Sequence, residues 1–263
     1  MRDRSREFLV EGINGIDAAL DAGIGLDLLF VSDPASGPGS GSCSGSCSGG
    51  VRPGFAGPLG DLVEKAKSAR VPVLDVSPPV MHAISDADTP PGAIAIAPFV
   101  DVDPAELLDR GSDLTVVLAE VRDPGNLGTI LRTSGAAGVG AVFLTTGTVD
   151  VYNPKVVRAS AGAMFHVSVA REVAVPWILA ELGDRNVLRV AADPTATVTY
   201  DEVDMRGPSA LVLGNEAWGL AEEVAAAVDE RASIPMRAST ESLNVGIAAG
   251  VFLFEAVRQR RSL

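Results

Sequence analysis

Three stretches of the chain repeat one arrangement, in which a short apolar run leads into a polar turn and then a helical pattern. They are Glu120–Arg132, Leu211–Leu220 and Ile234–Gly250, and we refer to them as the first, second and third motifs. In a parallel α/β sheet the carboxyl ends of the strands share one edge, so turns that follow them converge. Backbone N–H groups and a few polar side chains then line one pocket. The sequence therefore predicts a single site built from three separated turns.

The first motif offers an amide and a cation to this site. Asn126 follows Asp123-Pro-Gly and precedes an apolar helical pattern, which is typical of a helix N-cap. Arg132 lies almost two turns further along the same predicted helix. Helical side chains lean toward the helix N-terminus, so its guanidinium can reach the strand ends and bind a phosphate. Glu120 could hold Arg132 as a counterion, or it could be a solvated acid at the strand end.

The other two motifs supply an acid and hydroxyl groups. Gly214 permits a close approach of backbone, and Glu216 precedes a helical pattern, where an acid also complements the helix dipole. Ser242 or Ser239 could cap the last predicted helix. The chain has no Gly-x-x-x-x-Gly-Lys phosphate loop, and Gly138-Val-Gly140 precedes a strand instead of following one. The patterns of NTP and dinucleotide sites are therefore not met.

Composition and length indicate an ordinary globular protein. The 263 residues are enough for one large domain or two of common size, with 47% hydrophobic and 21% charged residues. No apolar run reaches the length that spans a bilayer. The first residues lack the apolar core of a signal peptide, so we expect a cytoplasmic protein.

The net charge argues against nucleic acid at first sight. There are 21 Lys and Arg against 34 Asp and Glu, a balance of −13, and a uniformly acidic surface repels phosphates. The cations cluster locally, however, at Arg2, Arg4 and Arg6, at Lys155 and Arg158, and at Arg258, Arg260 and Arg261. The last group could equally complement the C-terminus of a helix.

The two cysteines do not suggest a metal site. Cys43 and Cys47 lie in a Gly/Ser-rich stretch, residues 36–50, whose composition predicts a mobile loop. A pair of cysteines lacks the further ligands of structural zinc, and the only histidines are the distant His82 and His166. We therefore expect no metal.

Two alternations of strand and helix predict two α/β units. In the first, strands are predicted at Glu7–Val10, Leu26–Val31, Val71–Val76 and Ala93–Pro98, and helices at Ile13–Ala22, Leu59–Ala69 and Pro79–Ile84. In the second, strands are predicted at Leu114–Leu118, Ala141–Leu144, Val167–Ala170, Val187–Ala191, Ala210–Leu213 and Ala232–Ile234. Its helices are predicted at Leu127–Ala137, Asn153–Ala161, Val175–Leu182, Ala221–Val228 and Leu243–Arg260. Strands separated by such helices indicate a mainly parallel, doubly wound sheet.

The three motifs, in this order, resemble those of the SpoU (TrmH-like) branch of the SPOUT RNA 2′-O-methyltransferases. Phe8–Gly12 resembles the amino-terminal opening of that family, and Asn153–Phe165 resembles its linking segment. The resemblance implies a homodimer, a deep trefoil knot in a parallel-sheet methyltransferase domain, and S-adenosylmethionine as methyl donor without a metal. It also implies a small L30e/L7Ae-like α/β sandwich domain in front, which would grip RNA.

On this basis we predict the L30e-like domain at residues 1–105, with a mobile insertion at about 33–58. Residues 106–112 would be a linker and residues 113–263 the SpoU methyltransferase domain.

The resemblance also assigns roles to residues. The implied catalytic set is Asn126, Arg132, Glu216, Ser242 and Asn244, and Glu216 could bind the substrate nucleoside or hold Asn244. The implied cofactor-binding set is Leu213, Gly214, Ile234, Met236 and Leu243. The expected RNA-binding cations are Arg4, Arg6, Lys155 and Arg158. One departure is Ala238, which stands where the family often has Gly.

The family pattern makes Arg132 the base that removes the 2′-hydroxyl proton. A guanidinium keeps its proton at neutral pH, and removing it costs roughly 9 kcal/mol. We therefore hypothesise that Arg132 anchors an RNA phosphate and stabilises the developing alkoxide.

The resulting expectation is an RNA 2′-O-ribose methyltransferase that acts on ribosomal RNA, because the front domain is more typical of SpoU enzymes acting there. Three alternatives stay open: a transfer RNA methyltransferase, a non-catalytic RNA-binding module on the same fold, and a protein that binds small nucleotides.

Overall fold

The computed structural model describes residues 5–32, 55, 57–237 and 242–261. The chain divides into two compact units between Phe99 and Val100. Arg4, Cys43, Cys47, Ser239 and Ala238 lie outside the described residues, as does nearly all of the insertion that we predict at about 33–58. No helix in the described ranges is both long and apolar enough to cross a membrane.

The first unit is a small α/β structure around a four-stranded sheet. Its elements are β1 (Glu7–Glu11), α1 (Ile13–Asp21), β2 (Leu28–Val31), α2 (Pro58–Ser68), β3 (Val73–Asp75), α3 (Pro78–Ile84) and β4 (Ala93–Pro98). The strand order is β1-β4-β2-β3, with β4 antiparallel to both neighbours and β2 parallel to β3. Its core includes the fully buried Val10, Ile16, Leu29 and Ile94.

The second unit is a seven-stranded parallel sheet with helices between its strands. Its strands are β5 (Leu114–Leu118), β6 (Ala141–Thr145), β7 (Val169–Val173), β8 (Leu188–Ala192), β9 (Val198–Thr199), β10 (Ser209–Leu213) and β11 (Glu230–Ser233). Its helices are α4 (Pro104–Asp109), α5 (Pro124–Ala137), α6 (Pro154–Ser160), α7 (Val175–Asp184), α8 (Glu222–Ala226) and α9 (Val245–Arg261), with a 3₁₀ turn at Ala163–Phe165. The strand order is β7-β6-β5-β10-β8-β11-β9.

The two adjacent strands β5 and β10 are buried along their whole length, as expected for a parallel sheet covered on both faces. Every strand pair in this sheet is parallel. The predicted α/β class with a parallel sheet and a small front unit is therefore confirmed. Since β5, β10 and β11 run in the same direction, the three motifs leave the sheet at one edge.

Three elements of the second unit are absent from the predicted strands and helices. The first is the six-residue helix α4, which overlaps the segment predicted to join the two domains. The strand β9 has only two residues, which is too short to display an alternating pattern. The 3₁₀ turn at Ala163–Phe165 has three residues, which is also too short for a periodic pattern. Helix α5 also begins three residues earlier than predicted, at Pro124, because proline is well suited to the first helical position.

The last helix is fixed at its far end by a cation. Arg260 donates to the carbonyl oxygens of Met205, Asp113 and Gly207, and to the Ser209 hydroxyl, at 2.7–3.0 Å. Burial of this guanidinium lowers its pKa. Arg258 pairs with Glu255 on the same helix at 2.7 Å. These two cations therefore serve the fold of the second unit.

Candidate active site

A cleft of about 690 Å³ opens at the carboxyl edge of the large sheet. Its walls come from the ends of β8, β10 and β11 and from the start of α9. The five residues predicted to bind the cofactor all line it: Leu213, Gly214, Ile234, Met236 and Leu243. Glu216 and Ser242, from the predicted catalytic set, line it as well.

Gly214 lies where two backbone segments nearly touch. A Cβ atom at this position would lie 2.4 Å from the carbonyl carbon of Gly219 and 2.5 Å from its oxygen. The turn between them is closed by two hydrogen bonds of 2.9 Å between Asn215 and Gly219, in both directions. The Asn215 side chain adds a bond of 2.8 Å to the Glu120 carbonyl. The second motif is therefore a tight turn whose shape excludes any side chain at 214.

One carboxylate and two amides connect the three motifs. The Glu216 carboxylate accepts from the backbone N–H groups of Arg122 and Asp123, both at 3.1 Å, and from Asn126 Nδ2 at 3.0 Å. Asn244 Nδ2 in turn donates to Asn126 Oδ1 at 2.7 Å. We call these three side chains, Asn126, Glu216 and Asn244, the amide–carboxylate network. It joins residues that are 90 and 118 positions apart in the chain.

The network corrects three details of the sequence prediction. Glu216 does not hold Asn244 directly, because Asn126 lies between them. The N-cap of α5 is Asp123, whose Oδ1 accepts from the Asn126 backbone N–H at 2.8 Å. The prediction of Asn126 as that cap was wrong, and the Asp-Pro pair is the signal that identifies the true cap. Helix α9 is capped by Asn244, which accepts from Gly246 N–H at 2.9 Å, and not by Ser242.

The network holds Glu216 in its charged form. Burial of the carboxylate is the largest single effect and would raise its pKa. The hydrogen bonds from Asn126 and from the backbone N–H groups act in the opposite direction and together outweigh it, so the pKa of Glu216 is lowered.

This lowered pKa makes one contribution to stability pH-dependent. In the unfolded chain the carboxyl titrates near its ordinary value of 4.5, and in the folded protein it titrates below that value. The stabilisation is therefore complete at pH values above the unfolded-state pKa of 4.5. It disappears as the pH falls through the lower pKa of the folded protein. We expect urea unfolding between about pH 7 and pH 3 to give a wild-type advantage over Glu216→Gln that is constant at high pH and shrinks at the acid end. An advantage that does not change with pH would contradict this reading.

The structure also places the remaining predicted residues of the first and third motifs. Arg132 is exposed on α5, and within the described part of the chain no hydrogen bond or ion pair holds its guanidinium. Glu120 pairs with Arg122 at 3.1 Å, so its prediction as the counterion of Arg132 was wrong. Ser242 is exposed at the cleft wall. Among the predicted catalytic residues, Arg132 and Ser242 are thus exposed and available to a ligand.

The described cations that are expected to contact RNA belong to both units. Lys155 is exposed on α6 and Arg158 is half-buried one turn further on. In the first unit, the Arg6 guanidinium lies 5.5 Å from the centre of the Phe99 ring. Within the described ranges, no group of three or more His, Cys, Asp and Glu side chains is arranged to hold a metal ion.

Family comparisons agree with this geometry. The model of the SpoU rRNA Methylase family matches residues 113–254, and the model of the MRM3-like substrate binding domain matches residues 1–95. An uncharacterized tRNA/rRNA methyltransferase of Synechocystis sp. is 40% identical over 56% of this chain, which spans only 54% of that protein. The 23S rRNA (guanosine-2′-O-)-methyltransferase RlmB of Ralstonia nicotianae is 35% identical, over 76% of this chain and 82% of that protein.

Comparison with solved structures also finds SpoU methyltransferases. The SpoU methyltransferase AviRb from Streptomyces viridochromogenes, in complex with AdoMet, is 26% identical and superposes with a TM-score of 0.81. That match covers 100% of this chain and 94% of AviRb. The methyltransferase family inferred from the three motifs is thus confirmed, and the chain belongs to the SpoU rRNA methylase family.

Proposed function

We propose that this protein transfers a methyl group from S-adenosylmethionine to a ribose 2′-hydroxyl of ribosomal RNA. The observation that carries the proposal is the amide–carboxylate network, which fixes all three motifs beside one cleft. The 35% identity to RlmB of Ralstonia nicotianae supports ribosomal RNA as the substrate. With such a substrate we also propose a cytoplasmic location.

The cleft suits S-adenosylmethionine in size and in lining. Its volume of about 690 Å³ lies within the range of small-molecule sites. Leu213, Ile234 and Leu243 provide apolar walls, and the side-chain-free backbone at Gly214 allows a ligand to approach main-chain polar groups. When bound, S-adenosylmethionine supplies a methyl group activated by its sulfonium.

The residues of the chain would orient the ribose and stabilise charge. Both ends of the Asn126 amide are already used, one by Glu216 and one by Asn244, so its orientation is fixed before any substrate arrives. Such preorganised groups lower the cost of aligning two reactants. Arg132 would bind an RNA phosphate and stabilise the alkoxide that develops as the 2′-hydroxyl loses its proton.

Methyl transfer itself tests the proposal. Titration calorimetry should detect S-adenosylmethionine binding, and tritiated methyl groups should pass to unmodified ribosomal RNA. Transfer to transfer RNA alone would favour the alternative substrate. Cofactor binding without transfer to either RNA would favour a non-catalytic protein, and absence of cofactor binding would contradict the proposal as a whole.

The proposal includes a homodimer and the deep trefoil knot of the family. Support for the dimer comes from α9, where the apolar Ile247 and Phe254 are 56% and 49% exposed. They are seven positions apart and so share one helix face. We expect Phe254→Glu to convert a dimer into a monomer in light scattering after gel filtration. A wild-type protein that elutes as a monomer at all concentrations would contradict the dimer.

A further inference from the structure

The largest exposed aromatic side chain beside the cleft is Trp218, and the chain has only two tryptophans. Trp218 lines the cleft and is 56% exposed. An indole buries a large apolar area when it can, so one left in solvent next to a binding site often contacts a partner. Trp218 follows Glu216 by two residues, a span of at most about 7 Å. It therefore lies close to the amide–carboxylate network.

A second side chain from another motif lies against this indole. The Arg122 guanidinium carbon is 4.8 Å from the centre of the Trp218 ring, within the range of a cation–π contact. Glu120 holds the same guanidinium at 3.1 Å. More than half of Trp218 nevertheless stays exposed.

Hydrogen bonds of the surrounding backbone fix the positions of Arg122 and Trp218. The Arg122 backbone N–H donates to Glu216, and the turn that carries Trp218 is closed by the paired bonds between Asn215 and Gly219. Gly219 has a φ of 71°, a left-handed conformation that glycine adopts without strain. A rigid aromatic group loses little conformational entropy when it binds a ligand.

We propose that Trp218, backed by Arg122, is a stacking platform for an unpaired nucleobase of the RNA substrate. The inference deepens the proposed function and rests on it. Single-stranded RNA is recognised largely by stacking of bases on aromatic rings and guanidinium planes, and these two groups are adjacent here. A base held on this platform would place its strand next to the network, where the ribose must be oriented.

Two variants of Trp218 test the platform by separating RNA binding from cofactor binding. Stacking of one base on an aromatic ring changes affinity by about tenfold to a hundredfold. We therefore expect Trp218→Ala to raise the KM for ribosomal RNA about tenfold or more. Because Trp218 also lines the cleft, the Kd for S-adenosylmethionine can rise, but by much less than the KM for RNA. Trp218→Phe should restore most of the RNA affinity, because a phenyl ring also stacks. Trp177→Ala, which removes the other tryptophan, 36% exposed on α7, is the matched control.

Fluorescence provides a readout that does not need turnover. In a Trp177→Phe background Trp218 is the only indole, and stacking with a base should quench its emission as RNA is added. An unchanged KM for RNA in Trp218→Ala, or a loss of cofactor affinity as large as the loss of RNA affinity, would overturn the platform. If the wild type transfers no methyl group, the proposed function fails. Quenching by RNA together with weaker RNA binding of Trp218→Ala would then still support the platform.

Discussion

Replacing Arg132 by alanine should lower kcat by about a hundredfold or more, the effect of removing a group that stabilises a developing oxyanion. The affinity for S-adenosylmethionine should not change, because Arg132 is not among the residues that line the cleft. Stability should not change either, because Arg132 is exposed and makes no hydrogen bond or ion pair to the described residues. Single-turnover methyl transfer, calorimetry and urea unfolding measure the three quantities separately.

A suitable control is Arg206→Ala. That arginine is also exposed and in the same unit, but it pairs with Asp204 at 2.6 Å and lies outside the cleft lining. Arg132→Lys then tests whether Arg132 anchors the phosphate or acts as the base that removes the 2′-hydroxyl proton. A lysine that supports near-normal turnover with a pH profile shifted downward would favour proton abstraction at this position, against our hypothesis.

Replacing Gly214 by alanine should abolish useful cofactor binding. The added Cβ would meet the Gly219 backbone at 2.4 Å, and backbone cannot move aside as the tip of a flexible side chain can. The tight turn of the second motif must then shift, and with it the Glu216 carboxylate. We expect the Kd for S-adenosylmethionine to rise at least tenfold and the free energy of unfolding to fall by about 1–3 kcal/mol, as in overpacked cores.

The matched control for this change is Gly207→Ala. A Cβ atom at Gly207 would meet nothing within 4 Å, and the residue does not adopt a left-handed conformation. Its cofactor affinity and stability should therefore equal those of the wild type. If Gly214→Ala and Gly207→Ala have the same cofactor affinity and the same free energy of unfolding, the turn tolerates a side chain at 214. Our interpretation of the cleft would then be wrong.

The meeting of the three motifs was predictable because it depends on topology alone. Apolar runs alternating with helices indicate a parallel sheet, and such a sheet places the strand ends at one edge. The motifs themselves lie in the sequence as contiguous stretches, and each predicted strand before a motif is present in the structure. The alternation of apolar runs and helices therefore suffices for the parallel α/β class and for the edge of the sheet at which the cleft lies.

The side-chain contacts within the site were less predictable. Asn126, Asn244 and Ser242 each have a type that can cap a helix, and sequence alone does not decide which of them is used. The structure assigns the caps to Asp123 and Asn244 and uses Asn126 as the bridge between Glu216 and Asn244. Which side chains form hydrogen bonds across 90 or more positions depends on tertiary packing, and a local sequence pattern contains no information about that packing. The Arg122–Trp218 contact joins two motifs in the same way.

The position of α9 in the chain determines when the site can be completed during protein synthesis. Asn244 caps the start of this helix, and Arg260 near its other end donates to the carbonyl oxygens of Asp113, Met205 and Gly207. The ribosome must therefore release the chain through Arg260 from its exit tunnel before this anchor can form. A nascent chain that stops earlier could fold the preceding strands but would lack the anchored amide. Methyl transfer should accordingly begin only after translation of the last helix.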